Sequence, residues 1–217
     1  MRFTSKVCTV VALAGVALGP VATPASAAPV TCSVAALTRA IDTANTAGGT
    51  LDLQAGCLYR LTNADNGDNG LPVIRADVTV NGNGATVERA EHASAFRIFR
   101  VKRGGKLTLN HLTLRNGRVD GANGGAILVD TGGSLALNDS VITGSSAAKG
   151  GGVYTQGSIS VRNSKIVGNT ATEFGNSIGT GSTAAVIVSN STVADNEGVD
   201  LGNTIEMEDL FDGDGLL

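Results

Sequence analysis

A repeat of about 27 residues predicts that this chain folds as an all-β, right-handed, single-stranded parallel β-helix of about six coils, each with three short strands. Three observations support the prediction. Short apolar-x-apolar segments recur at nearly constant spacing, residues that tolerate a left-handed backbone follow them, and a glycine-led segment recurs further along each repeat. The composition agrees, because 30 glycines and no tryptophan are typical of turn-rich β structure.

The apolar segments mark one strand in every coil. They begin 27, 29, 28, 24 and 27 residues apart, and they are Leu51–Leu53, Val78–Val80, Leu107–Leu109, Leu135–Leu137, Ile159–Val161 and Val186–Val188. Alternate residues of a strand point to the same side. We therefore expect both aliphatic side chains of each triplet to point into the column.

The second and third strands of the coil have their own markers. Four residues recur between the first and second strands, namely His111, Asp139, Asn163 and Asn190. Histidine, aspartate and asparagine accept a left-handed backbone, so these residues are predicted to make a sharp structural turn. The third strand follows a glycine-led series, at Gly124–Ile127, Gly150–Val153 and Gly175–Ile178. We expect the β-helix to cover residues 51–203.

A solenoid has open ends that promote aggregation unless something covers them. Residues 28–50 are predicted to cover the first end with an amphipathic helix. Ser33 is a suitable N-cap and Gly48-Gly49 ends the helix. The residues on one helical face are Val34, Leu37, Ile41 and Ala44.

Residues 1–27 have the pattern of a secretory signal peptide. Arg2 and Lys6 flank its start, Val7–Leu18 is apolar, and Ala25–Ala27 is a small-residue cleavage site. The apolar run is too short to span a bilayer. We therefore expect a secreted, extracellular protein without a membrane span.

Cleavage would leave two cysteines, Cys32 and Cys57, which in an exported chain most simply form one disulfide. Two alternatives are weaker. Lipid attachment at Cys32 lacks the preceding leucine and small residues, and a pair of buried free thiols does not suit an oxidising compartment.

Charge argues against two classes of partner. Loss of Arg2 and Lys6 moves the formal charge from −3 to −5. Five acids lie in the segment 204–217, an acidic tail predicted to be either disordered or a small C-terminal cap. The absence of a basic run argues against nucleic acid and anionic membranes as partners. The sequence contains no signal for an oligomeric state.

Two stretches resemble known families. Cys32-Ser33, Leu37–Ile41 and Ala44-Asn45, with Gly49–Gly56 and Tyr59–Thr62, resemble the CSLREA module, although three residues separate Ser33 from Leu37 and Arg39 stands where the signature has Glu. Residues 76–200 are similar to the pectin-lyase-like β-helix repeats of secreted bacterial proteins. The resemblance implies export and the solenoid fold, and it implies no single activity.

The sequence shows no convergent catalytic or cofactor-binding residues. Glycoside hydrolysis needs carboxylates that face one cleft, but Asp120, Asp130, Asp139 and Asp195 occupy unlike positions of the repeat. No set of metal ligands stands out.

Asp65 and Asp68 lie in an oxygen-rich loop that is a weak Ca²⁺ candidate. A solvated loop of Asx turns is the favoured interpretation.

These observations predict a secreted, non-catalytic β-helix protein for a surface, envelope or matrix binding or adhesion role. Its partner would be an extracellular polysaccharide or another cell-envelope component, because the long face of a solenoid suits extended ligands. The alternative is a small carbohydrate-active enzyme of the pectin-lyase-like fold, either a polysaccharide lyase or a glycoside hydrolase.

Overall fold

The computed structural model describes residues 29–194 and the two-residue strand at 206–207. The predicted signal peptide at 1–27, Asp195 and the remainder of the acidic tail lie outside the described residues. No helix within the described part of the chain combines the length and the apolar character that a membrane crossing requires.

The described chain contains one helix and nineteen strands. In chain order they are α1 (Val34–Ala47), β1 (Gly49–Asp52), β2 (Leu58–Leu61), β3 (Asp77–Asn81), β4 (Thr86–Arg89), β5 (Phe99–Val101), β6 (Lys106–Asn110), β7 (Thr113–Arg115), β8 (Ile127–Val129), β9 (Ser134–Asn138), β10 (Val141–Thr143), β11 (Ser146–Lys149), β12 (Val153–Thr155), β13 (Ser158–Arg162), β14 (Lys165–Val167), β15 (Thr170–Phe174), β16 (Ile178–Thr180), β17 (Ala185–Ser189), β18 (Thr192–Ala194) and β19 (Glu206–Met207).

The strands form the sides of a parallel β-solenoid, which confirms the predicted fold class. Sheet A has the order β1-β3-β6-β9-β13-β17-β19, sheet B the order β2-β4-β7-β10-β14-β18, and sheet C the order β5-β8-β12-β16. Strands β11 and β15 form a fourth, two-stranded sheet. Neighbours in every sheet are one coil apart, so the chain advances by one strand per sheet in each turn.

The interior of the solenoid is a continuous aliphatic column. In sheet A, Val78 pairs with Leu107, Leu107 with Leu135, and Leu135 with Ile159. All four side chains are at most 2% exposed. Each coil therefore contributes one layer of the core, and burial of its apolar area stabilises the stack by about 25 cal/mol per Å².

The described chain makes about five turns, close to the predicted six coils. Among the described residues, sheet A contains seven strands, sheet B six and sheet C four. In the first coil, residues 62–73 form a loop instead of a third strand, and only Ile74 reaches the sheet, as a bridge to Val101.

The N-terminal end is closed as predicted. Helix α1 begins after Ser33, whose side chain accepts a hydrogen bond from the Ala36 amide, and it ends at Gly48, where φ is +80°. Leu37, Ile41 and Ala44 are buried against the first coil. The helix therefore shields the core layer that would otherwise face solvent.

Two further links fasten this helix segment to the first coil. The disulfide between Cys32 and Cys57, whose Cα atoms are 5.6 Å apart, confirms the predicted pairing. The hydroxyl of the fully buried Tyr59 donates to the Val30 carbonyl over 2.8 Å.

The first coil is two residues out of the predicted register. The repeat placed Leu51 level with Val78, but Gly49 pairs with Val78 and Leu51 pairs with Val80. Gly49, with φ of +154°, stands where later coils carry an aliphatic residue, and it lies beside helix α1: an added Cβ atom would be in ordinary van der Waals contact with the Cβ of Ala44 at 3.9 Å.

The predicted turn residues adopt the left-handed backbone. His111 and Asp139 have φ of 50°, and Asn163 and Asn190 have φ of 48°. After the turn, serines of successive coils form a hydrogen-bonded ladder. The Ser140 amide donates to Ser164 Oγ, and the Ser164 amide donates to Ser191 Oγ, each over 3.0 Å. The turn thus bends the chain while its neighbours keep the coils bonded to one another.

An amide ladder runs along the outward face of sheet A. Asn138 donates to Asn110, Asn110 to Asn81, and Asn81 to Asp52, each from Nδ2 to Oδ1 over 2.8 Å. Each side chain holds the next in one orientation, so the ladder ties four consecutive coils together from the outside.

The left-handed turn can be tested at Asn163. Replacement by alanine should destabilise the protein by about 1 kcal/mol, because a Cβ-bearing residue without a polar side chain is disfavoured in this backbone region. Asn163→Gly should be nearly neutral and is the matched control. Urea unfolding of both variants checks the prediction, and equal losses for alanine and glycine would contradict it.

Candidate functional site

The first three coils carry long loops that leave the solenoid on one side. Residues 62–73, 90–97 and 116–126 connect sheet B to sheet C in these coils. In the next two coils, β11 and β15 lie at the corresponding place. Irregular surface therefore concentrates on the N-terminal coils.

One buried arginine joins all three loops. Arg97 is 3% exposed and donates to the Asn69 side chain over 2.9 Å and to the Asp68 carbonyl. It also donates to the carbonyls of Asn123 and Gly124 in the third loop. Burial lowers the pKa of Arg97, but a guanidinium stays charged at neutral pH. Its charge is thus stabilised by loop oxygens rather than by a hydrogen-bonded carboxylate.

A second buried arginine orders the middle loop. Arg89 donates from Nη1 to the carbonyls of Ala90 and Ala93, each within 2.9 Å, and from Nε to the Asn116 carbonyl over 2.8 Å. Burial is the largest cause of the lowered pKa of Arg89. The Arg89 guanidinium therefore holds the start of the loop at 90–97 through its backbone carbonyls.

The two calcium candidates have different contacts. Asp65 accepts a hydrogen bond from the Asn66 side chain, whereas the Asp68 carbonyl accepts from Arg97. Among the described residues no group of three His, Cys, Asp or Glu side chains is placed to hold a metal ion. Two oxygens of this loop, the Asp68 carbonyl and Asn69 Oδ1, accept hydrogen bonds from the Arg97 guanidinium.

Three acids considered for glycoside hydrolysis lie beside basic side chains. Asp120 pairs with Arg118 at 2.8 Å, and Asp130 pairs with Arg100 at 3.1 Å. Asp139 lies 3.9 Å from His111. These pairs are separate from one another, so they provide no facing pair of carboxylates.

Tyr154 occupies an outward position of sheet C but is only 8% exposed. Its ring centroid is 6.5 Å from that of Phe174, and Lys149 Nζ lies 5.0 Å from the Phe174 ring centroid while pairing with Glu173. A covered tyrosine offers no flat platform for a sugar.

A row of alternating charge crosses the outward face of sheet B. Arg60 on β2, Glu88 on β4 and Arg115 on β7 are equivalent residues of three consecutive coils. Arg60 Nε donates to Glu88 Oε1 over 2.6 Å, and Arg115 Nε donates to Oε2. The Glu88 side chain is 5% exposed, against 58% for Arg60 and 44% for Arg115. The carboxylate is thus held between two guanidiniums that reach solvent.

A cleft of about 440 Å³ opens beside this row. We name it the arginine cleft, and its lining residues are Arg60, Glu88, Ala90, Glu91, His92, Arg115 and Asn116. Glu91 and His92 belong to the loop that Arg89 holds, and both are exposed. The sheet therefore supplies one wall of the cleft and the ordered loops supply the other.

Two other clefts lack such a cluster. The one between α1 and β1, about 330 Å³, contains a single ionisable residue, Asp52, which belongs to the amide ladder. A shallow one of about 470 Å³ contains Asp77 and Lys106, which pair with each other at 3.3 Å. The arginine cleft is thus the candidate site.

Electrostatics keep Glu88 ionised. Burial by itself would raise the pKa of Glu88, but hydrogen bonds from Arg60 and Arg115 and their positive charges outweigh burial and lower it. A general acid must hold a proton near the working pH. Glu88 holds none and both its oxygens are engaged, so it is suited to orient the arginines rather than to donate a proton.

The charge row escaped the sequence analysis because the turns differ in length. In one coil, the inward residues of the first and second strands, Leu109 and Leu114, are five residues apart. In the coil before it, the equivalent residues Val80 and Val87 are seven residues apart. A fixed spacing therefore matches only the coils with the shorter turn. Aligning the second strands on their buried residues would have placed Arg60, Glu88 and Arg115 at one position.

Searches with this chain against family models, curated proteins and solved structures return no match. The resemblance to the CSLREA module and to pectin-lyase-like repeats therefore stays a prediction from sequence motifs.

The role of Arg97 can be tested by Arg97→Met, which retains much of the side-chain volume. Loss of its hydrogen bonds should destabilise the protein by about 3 kcal/mol, because several loop carbonyls would remain buried without donors. Arg100→Met is the matched control and should lose less than about 1 kcal/mol, since Arg100 forms a partly exposed pair with Asp130. Urea unfolding measures both losses, and similar values would contradict the assigned role.

The charge row predicts a pH-dependent stability difference. At pH 7, Glu88→Gln should be less stable than the wild type by about 2 kcal/mol, because two guanidiniums lose their shared carboxylate. The pKa of Glu88 is lower in the folded state, so this stabilisation is complete above the ordinary pKa of about 4.3 and is lost as the pH falls through the folded value.

Urea unfolding at pH 7 and at successively lower pH measures the difference. Glu173→Gln, which removes an exposed acid paired with Lys149, should show a small difference throughout. A wild-type advantage over Glu88→Gln that stays constant in acid would refute the assigned ionisation.

Proposed function

We propose that this chain is a secreted, non-catalytic β-solenoid that binds an extracellular polysaccharide or another polymer of the cell envelope. The arginine cleft carries the proposal. It collects five ionisable side chains, yet its buried carboxylate is engaged by Arg60 and Arg115 instead of facing a second acid.

The solenoid suits this role through its rigidity. The amide ladder fixes outward side chains of sheet A, buried serines join the turns of neighbouring coils, and Arg89 and Arg97 fix the loops beside the cleft. A ligand that binds to ordered groups avoids most of the cost of immobilising them. Export is supported by the signal-like pattern at 1–27 and by the Cys32–Cys57 disulfide.

The second candidate function is polysaccharide cleavage, which Glu91 and His92 at the rim of the cleft favour as exposed groups able to transfer protons. A hydrolase would need a second carboxylate at a defined distance. Glu88, ionised and held at both oxygens, does not fit the role of that partner.

The two functions are separated by incubating the mature protein with pectin, alginate and cell-wall polysaccharides, with and without calcium. Binding without turnover is expected, measured as co-sedimentation of the protein with the polymer and as no release of unsaturated or reducing ends. Sustained product release that is lost in Glu91→Gln would overturn the proposal in favour of the enzyme.

A further inference from the structure

The arginine cleft contains guanidinium N–H groups that have no hydrogen-bond acceptor among the described residues. Arg60 and Arg115 each donate from Nε to Glu88. Among the described residues, none of their four Nη nitrogens has a hydrogen-bond partner. A guanidinium carries five N–H donors in a fixed plane, so each of these side chains keeps donors for a ligand while its orientation is fixed by the carboxylate.

The two guanidiniums converge although their backbones are two coils apart. Neighbouring coils are separated by about 4.8 Å, which places the Cα atoms of Arg60 and Arg115 roughly 10 Å apart. Both side chains nevertheless meet the two oxygens of one carboxylate. One external group seated at the mouth of the cleft is therefore within reach of both.

The charge of the cleft limits what that group is. The charged side chains that line the cleft are Arg60, Arg115, Glu88 and Glu91, so their charges sum to zero. A group with one negative charge can share the exposed Nη groups of both arginines, whereas a second negative charge would be opposed by the carboxylates of Glu88 and Glu91. Arginine pairs prefer planar or tetrahedral oxyanions, because two N–H groups match two oxygens.

We propose that the arginine cleft binds one monoanionic oxyanion of an extracellular glycan, either the carboxylate of a uronic acid or a sulfate ester, between the Nη groups of Arg60 and Arg115. This inference rests on the proposed function, since it names the chemical group of the polymer that the cleft recognises. Glu88 acts as a positioning residue that aligns both arginines and does not touch the ligand.

The test measures the affinity of the mature protein for short oligosaccharides at low ionic strength. The probes are an oligouronate from alginate, its methyl ester, a sulfated galactan oligosaccharide and the desulfated form of that oligosaccharide. An acidic probe should bind and its neutral counterpart should not, and added salt should weaken binding because it screens charge. The acidic probe that binds identifies the source of the oxyanion.

Variants locate the binding within the molecule. Arg60→Gln and Arg115→Gln should each weaken binding of the acidic probe roughly tenfold, since each removes charge-assisted hydrogen bonds. Arg162→Gln removes an exposed arginine from sheet A and is the control that should leave affinity unchanged. Arg115→Lys keeps a cation for Glu88 but loses the planar fork, so it should fold normally and bind with intermediate affinity.

The outcomes separate this inference from the proposed function. Equal affinity for acidic and neutral probes, or equal losses in Arg60→Gln and Arg162→Gln, would overturn the oxyanion site while polysaccharide binding stands. Failure of the wild type to bind either acidic probe, with retention on neutral cell-wall polymers, would overturn the site alone. Failure to bind any polymer would overturn both.

Discussion

Parallel stacking in register is the constraint on which the rest of this structure depends. Every strand residue lies about 4.8 Å from its equivalent in the next coil, so residues at the same position of the repeat are neighbours. Inside the column this arrangement is favourable for Val, Leu and Ile, because like shapes pack into continuous layers. The aliphatic core therefore enforces one register, and that register decides which polar residues meet on the surface.

On the outer surface, two arrangements of polar side chains are compatible with this stacking. A neutral amide can both donate and accept, so identical residues stack well, as Asn81, Asn110 and Asn138 do. Identical charges at this spacing repel one another. Sheet B instead alternates the sign of the charge, with Glu88 between Arg60 and Arg115. The row thus has a structural origin, and its arginines extend beyond the carboxylate to the surface where we propose that a ligand binds.

The long loops meet a different demand, since backbone carbonyls that leave the sheets still need donors. Arg89 and Arg97 supply several donors each from one buried side chain. In the fourth and fifth coils, β11 and β15 satisfy the backbone by pairing with each other. Within residues 29–194, the arginine-held loops lie next to sheet B beside the first coils, and the cleft lies there with them.

Sequence patterns were enough to predict the solenoid, the capping helix between Ser33 and Gly48, the Cys32–Cys57 pair and the left-handed turns, because these depend on residues at short or periodic separations. The register of the first coil, in which Gly49 rather than Leu51 lies opposite Val78, is visible only in the folded chain. Tertiary structure also decided the charge row, whose members belong to turns of unequal length. Contacts between coils depend on how many residues each turn absorbs, and only the folded backbone fixes that number.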